Sequence, residues 1–249
     1  MVSIIIPTCG RGDILSCLRG LSANTSSEHE IIISANGCSR ELIEQMQPFG
    51  KLVLSDQPVG FPVACNLGIK ASLPRNDIVL LNDDIIIDIP NWLSVLQQGN
   101  GDLVGNQGLF GYGTWINGVP IQFEGISFAC VLIRRKVLNV IGLLDESFSP
   151  GQGEDAEFCY RVERAGFSIC YVELPMFHKG GQSFDMDTYK RQLELWTSKM
   201  ANRIQSDLAT CMGPWRCEEH RDVNNWIHCT QCLHNFNIWH TSNKWTWMQ

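Results

Sequence analysis

Short apolar, β-branched runs alternate with helical patterns along the first third of the chain. The apolar runs predict strands at residues 2–6, 30–34, 51–54 and 77–81. Helical spacing of apolar residues predicts helices between them, at 14–21, 40–46 and 62–71. This rhythm predicts an α/β fold with a mostly parallel sheet flanked by helices. Right-handed crossovers then place the first three strand-to-helix loops at one edge of the sheet.

The rest of the chain is less regular. Residues 101–125 are rich in Gly and aromatic residues, which predicts loops with a short strand or two. A strand at 127–133 and a short helix from 136 to 140 follow, and then a flexible loop at 148–153. The last predicted elements are a helix at 154–165, a strand at 168–174 and a long helix at 187–203.

Composition changes near Ser206. The final 44 residues hold five of the eight Trp, four of the eleven Cys and four of the six His. We therefore predict a main domain at residues 1–205 and a Cys/His/Trp-rich extension at 206–249. The other seven Cys lack ligand-like spacing and are expected to be small buried apolar residues.

Charge and hydropathy narrow the class of protein. The net charge of −7 gives no electrostatic footprint for nucleic acid. The first residues lack the basic and apolar regions of a signal peptide, and no stretch approaches the length of a membrane span. These features predict a cytoplasmic protein.

Asn82, Asp83 and Asp84 follow directly on the apolar run 78–81. Ligands of open α/β sheets bind outside the carboxyl ends of the strands. Hard oxygen ligands at that edge suit Mg²⁺ or Mn²⁺, which bridge diphosphates. The triplet therefore predicts a site for a nucleotide diphosphate, although acidic residues after a strand also serve as turns or N-caps.

Six motifs occur in order along residues 1 to 200. They are the strand and turn at 3–8, the strand and turn at 31–37, the Gly-x-x-x-x-x-Asn-x-Gly block at 60–69, the acidic motif at 80–84, the paired blocks at 142–148 and 153–158, and the segment 178–184. Together they resemble the motifs of inverting, family-2-type glycosyltransferases. The resemblance implies the GT-A fold, which is Rossmann-like and typical of nucleotide-diphospho-sugar transferases.

The resemblance also implies roles at the donor end of the site. Asp84 is expected to be a ligand of Mn²⁺ or Mg²⁺, and Asp83 to contact the ribose. Asn82 stands where the family motif has its first acidic residue, so it keeps an oxygen but lowers the charge. His178 is expected to be a further metal ligand that closes over the diphosphate, and the two Gly after it favour close phosphate approach. The metal would neutralise the leaving group as a Lewis acid.

The base and ribose of the donor are expected over the first two strand-to-helix turns. Pro7, Thr8, Arg11 and Asn36 are the candidate residues, although Arg11 is equally consistent with a surface charge. Gly60 and Asn66 are expected near the diphosphate, with Asn66 a helix-face hydrogen bonder in the alternative interpretation. Ala35 occupies the position of the acidic residue that usually reads the nucleobase, so guanosine and thymidine donors stay open beside uridine.

Two acidic residues are expected on the acceptor side. Asp155 is the candidate base that takes the proton from the acceptor hydroxyl, and Glu154 is expected to orient the acceptor. Both could instead be helix N-terminal charges, but the flexible loop before them favours a catalytic role. Three aromatic residues could stack on acceptor sugars or anchor a loop on the core: Phe110, Tyr112 and Trp115.

The C-terminal extension contains two chelating pairs. Cys217 and His220 form one, and Cys229 and Cys232 the other, which together predict one structural Zn²⁺. The alternative is an extension anchored by its Trp residues with reduced, buried Cys. Five Trp are too many to leave in water, so contact with the main domain, a second subunit or a membrane interface is expected.

Three function classes remain open from the sequence. The first is metal-dependent, inverting transfer of a sugar from a nucleotide-diphosphate sugar to a glycan or lipid-linked acceptor. The second is a sugar-nucleotidyltransferase. Such an enzyme needs a Gly-rich first loop with basic residues to bind a triphosphate, and residues 8–12 match that pattern poorly. The third is a non-catalytic, sugar-nucleotide-binding scaffold whose C-terminal extension holds a partner, which Asn82 and Ala35 would fit.

Overall fold

The computed structural model of the protein describes residues 1–11, 13–106, 108–116, 119–179 and 186–210. Its strands are β1 (Val2–Thr8), β2 (His29–Asn36), β3 (Lys51–Ser55), β4 (Asp77–Leu81), β5 (Ile85–Ile86), β6 (Leu103–Gly105), β7 (Gly108–Ile116), β8 (Val119–Ile126), β9 (Cys130–Ile133), β10 (Ile169–Tyr171) and β11 (Phe177–His178). Its α-helices are α1 (Ile14–Asn24), α2 (Arg40–Met46), α3 (Phe61–Ala71), α4 (Trp92–Gln98), α5 (Arg135–Ile141), α6 (Glu154–Arg164) and α7 (Met186–Thr210).

Seven strands form one mixed sheet in the order β10-β6-β9-β4-β1-β2-β3. β1 pairs in parallel with β2 and β4, and β2 in parallel with β3. β9 runs antiparallel between β4 and β6. The predicted parallel α/β sheet is therefore confirmed, with β9 as an antiparallel insertion.

The sheet is covered by apolar side chains on both faces. One layer includes Ile4 and Ile6 of β1 with residues of α1 and α4, and the other includes Ile5 with residues of α3, α5 and α6. Successive side chains of a strand point to opposite faces, so a strand covered on both sides is apolar throughout. This explains why β1 and β4 stand out in the sequence as continuous apolar runs.

The middle of the chain departs from the sequence prediction. Residues 101–125 contain the hairpin β7–β8, whose strands pair over seven positions with an irregularity between Leu109 and Tyr112. The helix α4 and the two-stranded ribbon of β5 and β11 were not predicted either. Phe110, Tyr112 and Trp115 thus lie on β7 and not in a loop.

The last helix continues beyond the expected boundary at residue 205. α7 reaches Thr210, so the division into residues 1–205 and 206–249 stays a prediction. Among the described helices, none combines the length and apolar character that crossing a membrane requires.

Gly68 is where α3 approaches the sheet most closely. A Cβ at this position would lie 2.3 Å from Cγ2 of Ile5 and 2.8 Å from Oγ of Ser34. Helix propensity alone would favour Ala over Gly by about 1 kcal/mol. The contact with β1 and β2 therefore outweighs propensity at this position.

We predict that Gly68→Ala destabilises the protein by about 1–3 kcal/mol, because the helix must shift away from the sheet. The midpoint of denaturant unfolding measures this change. Lys70→Ala, at an exposed position of the same helix, serves as the control and should stay within about 0.5 kcal/mol of wild type. An equally stable or more stable Gly68→Ala variant would contradict the close packing of α3.

Candidate functional site

The carboxyl ends of β1, β2, β3 and β4 lie at one edge of the sheet because these strands are parallel. Thr8 ends β1, Asn36 ends β2, and Asn82 follows β4. The candidate donor residues are thereby brought together, as expected from the crossover rule.

A hydrogen bond joins Asp83 to Thr8 at the end of β1. Oγ1 of Thr8 donates to Oδ2 of Asp83 at 2.5 Å and accepts from the backbone N–H of Gly10 at 3.1 Å. This pair joins the acidic motif to the turn between β1 and α1. Thr8 therefore acts on the site by holding Asp83.

Both the nitrogen and the oxygen of the Asn36 side-chain amide form hydrogen bonds within the protein. Its Nδ2 donates to the carbonyl oxygens of Thr8 at 2.6 Å and Ser34 at 3.3 Å, and its Oδ1 accepts from the N–H of Val59 at 3.1 Å. The Asn36 side chain therefore lines the space between the turns that follow β1 and β2. Pro7 is likewise buried in β1, whereas Arg11 is exposed.

Asp84 and His178 lie side by side. β11 pairs with β5 so that His178 stands opposite Ile85, one residue after Asp84. Nε2 of His178 lies 3.1 Å from Oδ1 of Asp84 and 3.3 Å from Nδ2 of Asn82. Two residues that are 94 positions apart in sequence are thus held at one point by a short ribbon.

This arrangement fits a divalent metal ion. Ligands at adjacent corners of an octahedron, with bonds of about 2.1 Å, are about 3 Å apart, which matches the Asp84–His178 distance. Oδ1 of Asn82 is buried and has no hydrogen-bond partner among the described residues. The described part of the chain has no group of three or more His, Cys, Asp or Glu arranged for a metal. Asp84 and His178 therefore suit an ion whose other ligands come from a bound diphosphate and water.

A second polar cluster lies at the start of α6. Glu154 and Asp155 are 7% and 9% exposed, and Glu157 is fully buried. Glu157 pairs with Arg161 at 2.7 Å and also contacts Arg203. Within the described residues, no basic side chain forms an ion pair with Glu154 or Asp155, and Oε2 of Glu154 has no hydrogen-bond partner.

Burial without a cation raises the pKa of both acids. Burial and the neighbouring charge of Asp155 raise the pKa of Glu154 to about 8. Burial raises the pKa of Asp155 to about 6, against which hydrogen bonds from backbone N–H groups, including those of Ala156 and Phe128, act to lower it. Because the two adjacent acids titrate as a pair, they hold one proton between them from about pH 6 to about pH 8, so the pair contains both an acceptor of protons and a donor of hydrogen bonds.

The loop before these acids is packed, which corrects the prediction of a flexible loop at 148–153. The carbonyl oxygen of Pro150 accepts from the N–H of Phe61 at 2.8 Å. Gly153 has a left-handed φ of 88°, and a Cβ there would lie 2.1 Å from Cδ1 of Trp196 in α7. The loop therefore holds Glu154 and Asp155 in place, and mobility is no argument for their role.

Gly60, at the start of α3, lies against this loop, and Asn66 of α3 holds the segment before it. Gly60 has a φ of +86°, and a Cβ there would lie 2.8 Å from Cα of Pro150. Asn66 donates to the carbonyl oxygen of Leu144 at 2.9 Å and to Glu146 at 3.0 Å, and accepts from the N–H of Leu144 at 3.1 Å. Asn66 is therefore the helix-face hydrogen bonder of the alternative interpretation.

Phe128 and Ala129 join the two clusters. The carbonyl oxygen of Ala129 accepts from the N–H of Asn82 at 2.8 Å. The backbone N–H of Phe128 lies near the Asp155 carboxylate, where it acts to lower the pKa of that group against the effect of burial. The Phe128 ring packs edge-on against Phe158 of α6, with centroids 5.4 Å apart. Consecutive Cα atoms are about 3.8 Å apart, so the acidic motif and the candidate base are neighbours in space.

Sequence reasoning missed this link, because neither Phe128 nor Ala129 has a reactive side chain.

Several of the residues singled out from the sequence lie outside the described part of the chain. The zinc candidates Cys217, His220, Cys229 and Cys232 are outside the described residues, and so are the side chains on the hairpin at 109–124. The zinc site remains a prediction.

The chain is similar in sequence to two curated proteins. The chain is 27% identical over 244 residues to the O-antigen biosynthesis protein RfbC of Myxococcus xanthus, covering 81% of this chain and 19% of that protein. It is 24% identical over 216 residues to the uncharacterized protein y4gI of Sinorhizobium fredii, covering 68% and 23%. The chain thus spans about a fifth of the length of these curated relatives. No protein-family model matches it.

Solved structures share the fold. Glucosyl-3-phosphoglycerate synthase from Mycobacterium tuberculosis, in complex with Mn²⁺, UDP and glucosyl-3-phosphoglycerate, superposes with a TM-score of 0.60 at 17% identity, over 82% of this chain and 79% of that one. GalNAc-T7 with UDP, GalNAc and Mn²⁺ superposes with a TM-score of 0.57 at 14% identity, over 97% and 56%. The chain has the GT-A fold of these glycosyltransferases, and the resemblance predicted from its motifs is confirmed at the level of the fold.

Proposed function

We propose that the chain is a metal-dependent, inverting glycosyltransferase that moves a sugar from a nucleotide-diphosphate sugar to an acceptor hydroxyl. The observation that supports the proposal is the segment Phe128–Ala129, which accepts a hydrogen bond from Asn82 of the acidic motif and packs on α6, the helix that begins with Glu154 and Asp155. A donor diphosphate at Asp84 and an acceptor at Asp155 would then meet at one point.

The donor end is suited to a leaving diphosphate. Asp84 and His178 would hold Mn²⁺ or Mg²⁺, with Asn82 contributing the buried Oδ1 that lacks a partner. When bound, the metal ion supplies Lewis-acid neutralisation of the charge that develops on the diphosphate. Asp83, held by Thr8, faces the same edge and is our candidate for the ribose contact.

The acceptor end is suited to proton removal. Asp155 takes the proton of the acceptor hydroxyl as its oxygen bonds to the anomeric carbon and the bond from that carbon to the diphosphate oxygen breaks. Glu154, protonated at neutral pH, donates a hydrogen bond that orients the acceptor. Among the described residues, Asp155 is the one candidate base and we assign no other carboxylate as a nucleophile, which corresponds to a single displacement that inverts the anomeric centre.

The compared proteins support the donor class and the setting. The mycobacterial synthase was solved with Mn²⁺, UDP-glucose and phosphoglyceric acid, and RfbC is an O-antigen biosynthesis protein. By analogy, we propose a UDP-sugar or related donor and a glycan or lipid-linked saccharide as acceptor. A cytoplasmic location, and a contact of residues 206–249 with a membrane or a second subunit, are predictions of the same kind.

The two other function classes explain less of the site. A nucleotidyltransferase would leave the buried Glu154–Asp155 pair without a role. A binding scaffold would bear the cost of burying two acids without a cation and gain nothing in return.

We expect nucleoside diphosphate release when the protein is incubated with Mn²⁺, an acceptor saccharide and a panel of UDP-, GDP- and dTDP-sugars. With an α-linked donor, the anomeric proton coupling of the product should show a β linkage. Retention of configuration would contradict a single displacement, and no release from any sugar nucleotide would favour the scaffold.

We predict that Asp84→Ala abolishes Mn²⁺-dependent binding of the nucleoside diphosphate while the fold is retained, because a metal ligand is lost. Calorimetric titration with the diphosphate and Mn²⁺ measures this. Asp88→Asn is the matched control at a nearby exposed carboxylate and should bind like wild type. Unchanged affinity in Asp84→Ala would remove this residue from the metal site.

We predict that Asp155→Asn lowers kcat by about 10²- to 10⁴-fold with little change in donor affinity, since a general base acts in the transition state. Steady-state kinetics with the true acceptor, beside donor titration, separate the two effects. Glu163→Gln, near the far end of the same helix, is the control. Near-normal kcat in Asp155→Asn would leave this carboxylate a purely structural role.

The same pair predicts a bell-shaped pH profile. Activity should rise through about pH 6 as Asp155 ionises and fall through about pH 8 as Glu154 ionises beside it. Glu154→Gln should lose the falling limb of this activity profile.

The raised pKa values also mean that ionisation of these acids opposes folding, so the stability of the wild type should fall as pH rises from 4.5 through about 8. Glu154→Gln should lose less stability over this range, and an unchanged thermal-melting profile would show that Glu154 is not buried as a neutral acid.

A further inference from the structure

Lys179 emerges directly beside the candidate metal ligands. It follows His178 in the chain, and its backbone N–H donates to the carbonyl oxygen of Asp84 at 3.3 Å. The start of its side chain is therefore fixed next to Asp84. Its Nζ reaches away from this anchor to Oδ2 of Asp13, at 2.7 Å.

Asp13 lies at the other side of the same sheet edge. It immediately precedes α1, and its carbonyl oxygen accepts from the N–H groups of Ser16 and Cys17. The hydrogen bond from Lys179 lowers the pKa of Asp13, with smaller contributions from Ser16. The Lys179–Asp13 pair thus spans the edge from the end of β4 to the beginning of α1, where the turn after β1 carries Thr8.

This ion pair is held weakly. The side chains of Lys179 and Asp13 are 35% and 43% exposed, so water competes with both. Exposed pairs of this kind shift an equilibrium by a factor of about five at most. A phosphate oxygen brought to the same place makes a charge-assisted hydrogen bond of the same kind, so it can compete with Asp13 for the ammonium group.

A diphosphate bound at this edge of the sheet would need a nearby positive charge. Asp83 and Asp84 are both acidic, and a nucleoside diphosphate stays negative after it binds one divalent ion. Arg161, Arg134 and Lys136 are engaged elsewhere, with Glu157, Asp77 and Asp102 respectively. Lys179 is the described lysine whose backbone is anchored on the acidic motif itself.

We propose that Lys179 is a phosphate-binding residue that exchanges Asp13 for the diphosphate of the donor when the donor binds. This inference rests on the proposed function and adds a residue to the same site. Asp13 acts as a competing partner, so it keeps the ammonium group near the edge and is released when a phosphate takes its place.

The exchange predicts opposite effects for the two halves of the pair. Lys179→Met should weaken binding of the diphosphate about tenfold or more, because a charge-assisted hydrogen bond is lost. Asp13→Asn should tighten binding about two- to fivefold, because it removes the competitor. If the pair were instead a fixed strap that holds the site together, both variants would weaken binding.

The experiment is calorimetric titration of the full chain with UDP, GDP and dTDP in the presence of Mn²⁺, followed by the variants with the nucleotide that binds best. Lys179→Arg should stay within about threefold of wild type, since the charge is retained. The double variant Asp13→Asn/Lys179→Met should bind like Lys179→Met alone, because Asp13 acts only through Lys179. The corresponding nucleoside, which has no phosphate, should bind Lys179→Met and wild type equally.

The outcomes separate this inference from the proposed function. If wild type binds none of the three diphosphates, the proposed function fails and the exchange fails with it. If wild type binds one of them, but Asp13→Asn weakens binding or Lys179→Met leaves it unchanged, the exchange is overturned and the proposed function stands.

Discussion

The antiparallel pairing of β9 with β4 is the constraint on which the site depends. A parallel neighbour would bring its amino end to the far edge of the sheet. Because β9 runs antiparallel, it begins where β4 ends, so the residues that lead into β9 lie beside Asn82. The carbonyl oxygen of Ala129 can therefore accept from Asn82 of the acidic motif, while the ring of Phe128 packs on Phe158 of α6, the helix that begins with Glu154 and Asp155. Under the proposed function, this one reversal of strand direction brings the donor and acceptor ends of the site together.

Two sets of carboxylates in the described chain differ in their partners. Glu157, Asp77, Asp102 and Asp145 are each held by Arg or Lys, and they join helices and loops to the sheet. Glu154 and Asp155 are more deeply buried than all of these except Glu157, but they have backbone hydrogen bonds in place of a cation. The carboxylates of the first group stabilise the fold, whereas ionisation of the second group destabilises it. Such a cost is consistent with a pair that is kept for proton transfer.

Helix α7 fixes the acceptor side of the site from behind. Trp196 packs on Gly153, Lys199 donates to the carbonyl oxygen of Ser147 at 2.8 Å, and Arg203 contacts Asp145 and Glu157. On the opposite side, Gly60 of the turn before α3 lies against Pro150. The segment between residues 145 and 153 is therefore held from two directions. If Asp155 is the proposed base, this packing keeps it aligned without a moving loop.

The sequence by itself determined the parallel core and the position of the acidic motif along the chain. β4 and α2 have the predicted bounds, because continuous apolar runs and helical spacing are local signals that survive tertiary packing. It also singled out Asp84, His178, Glu154 and Asp155 as candidates. Tertiary structure decided which of them meet: β5 and β11, of two residues each, are too short to recognise in sequence, yet they place His178 on Asp84. It also decided that Asn36 and Asn66 serve the scaffold, because the use of an amide depends on which carbonyl groups surround it. Local pattern specifies elements, whereas contacts between residues far apart in sequence specify the site.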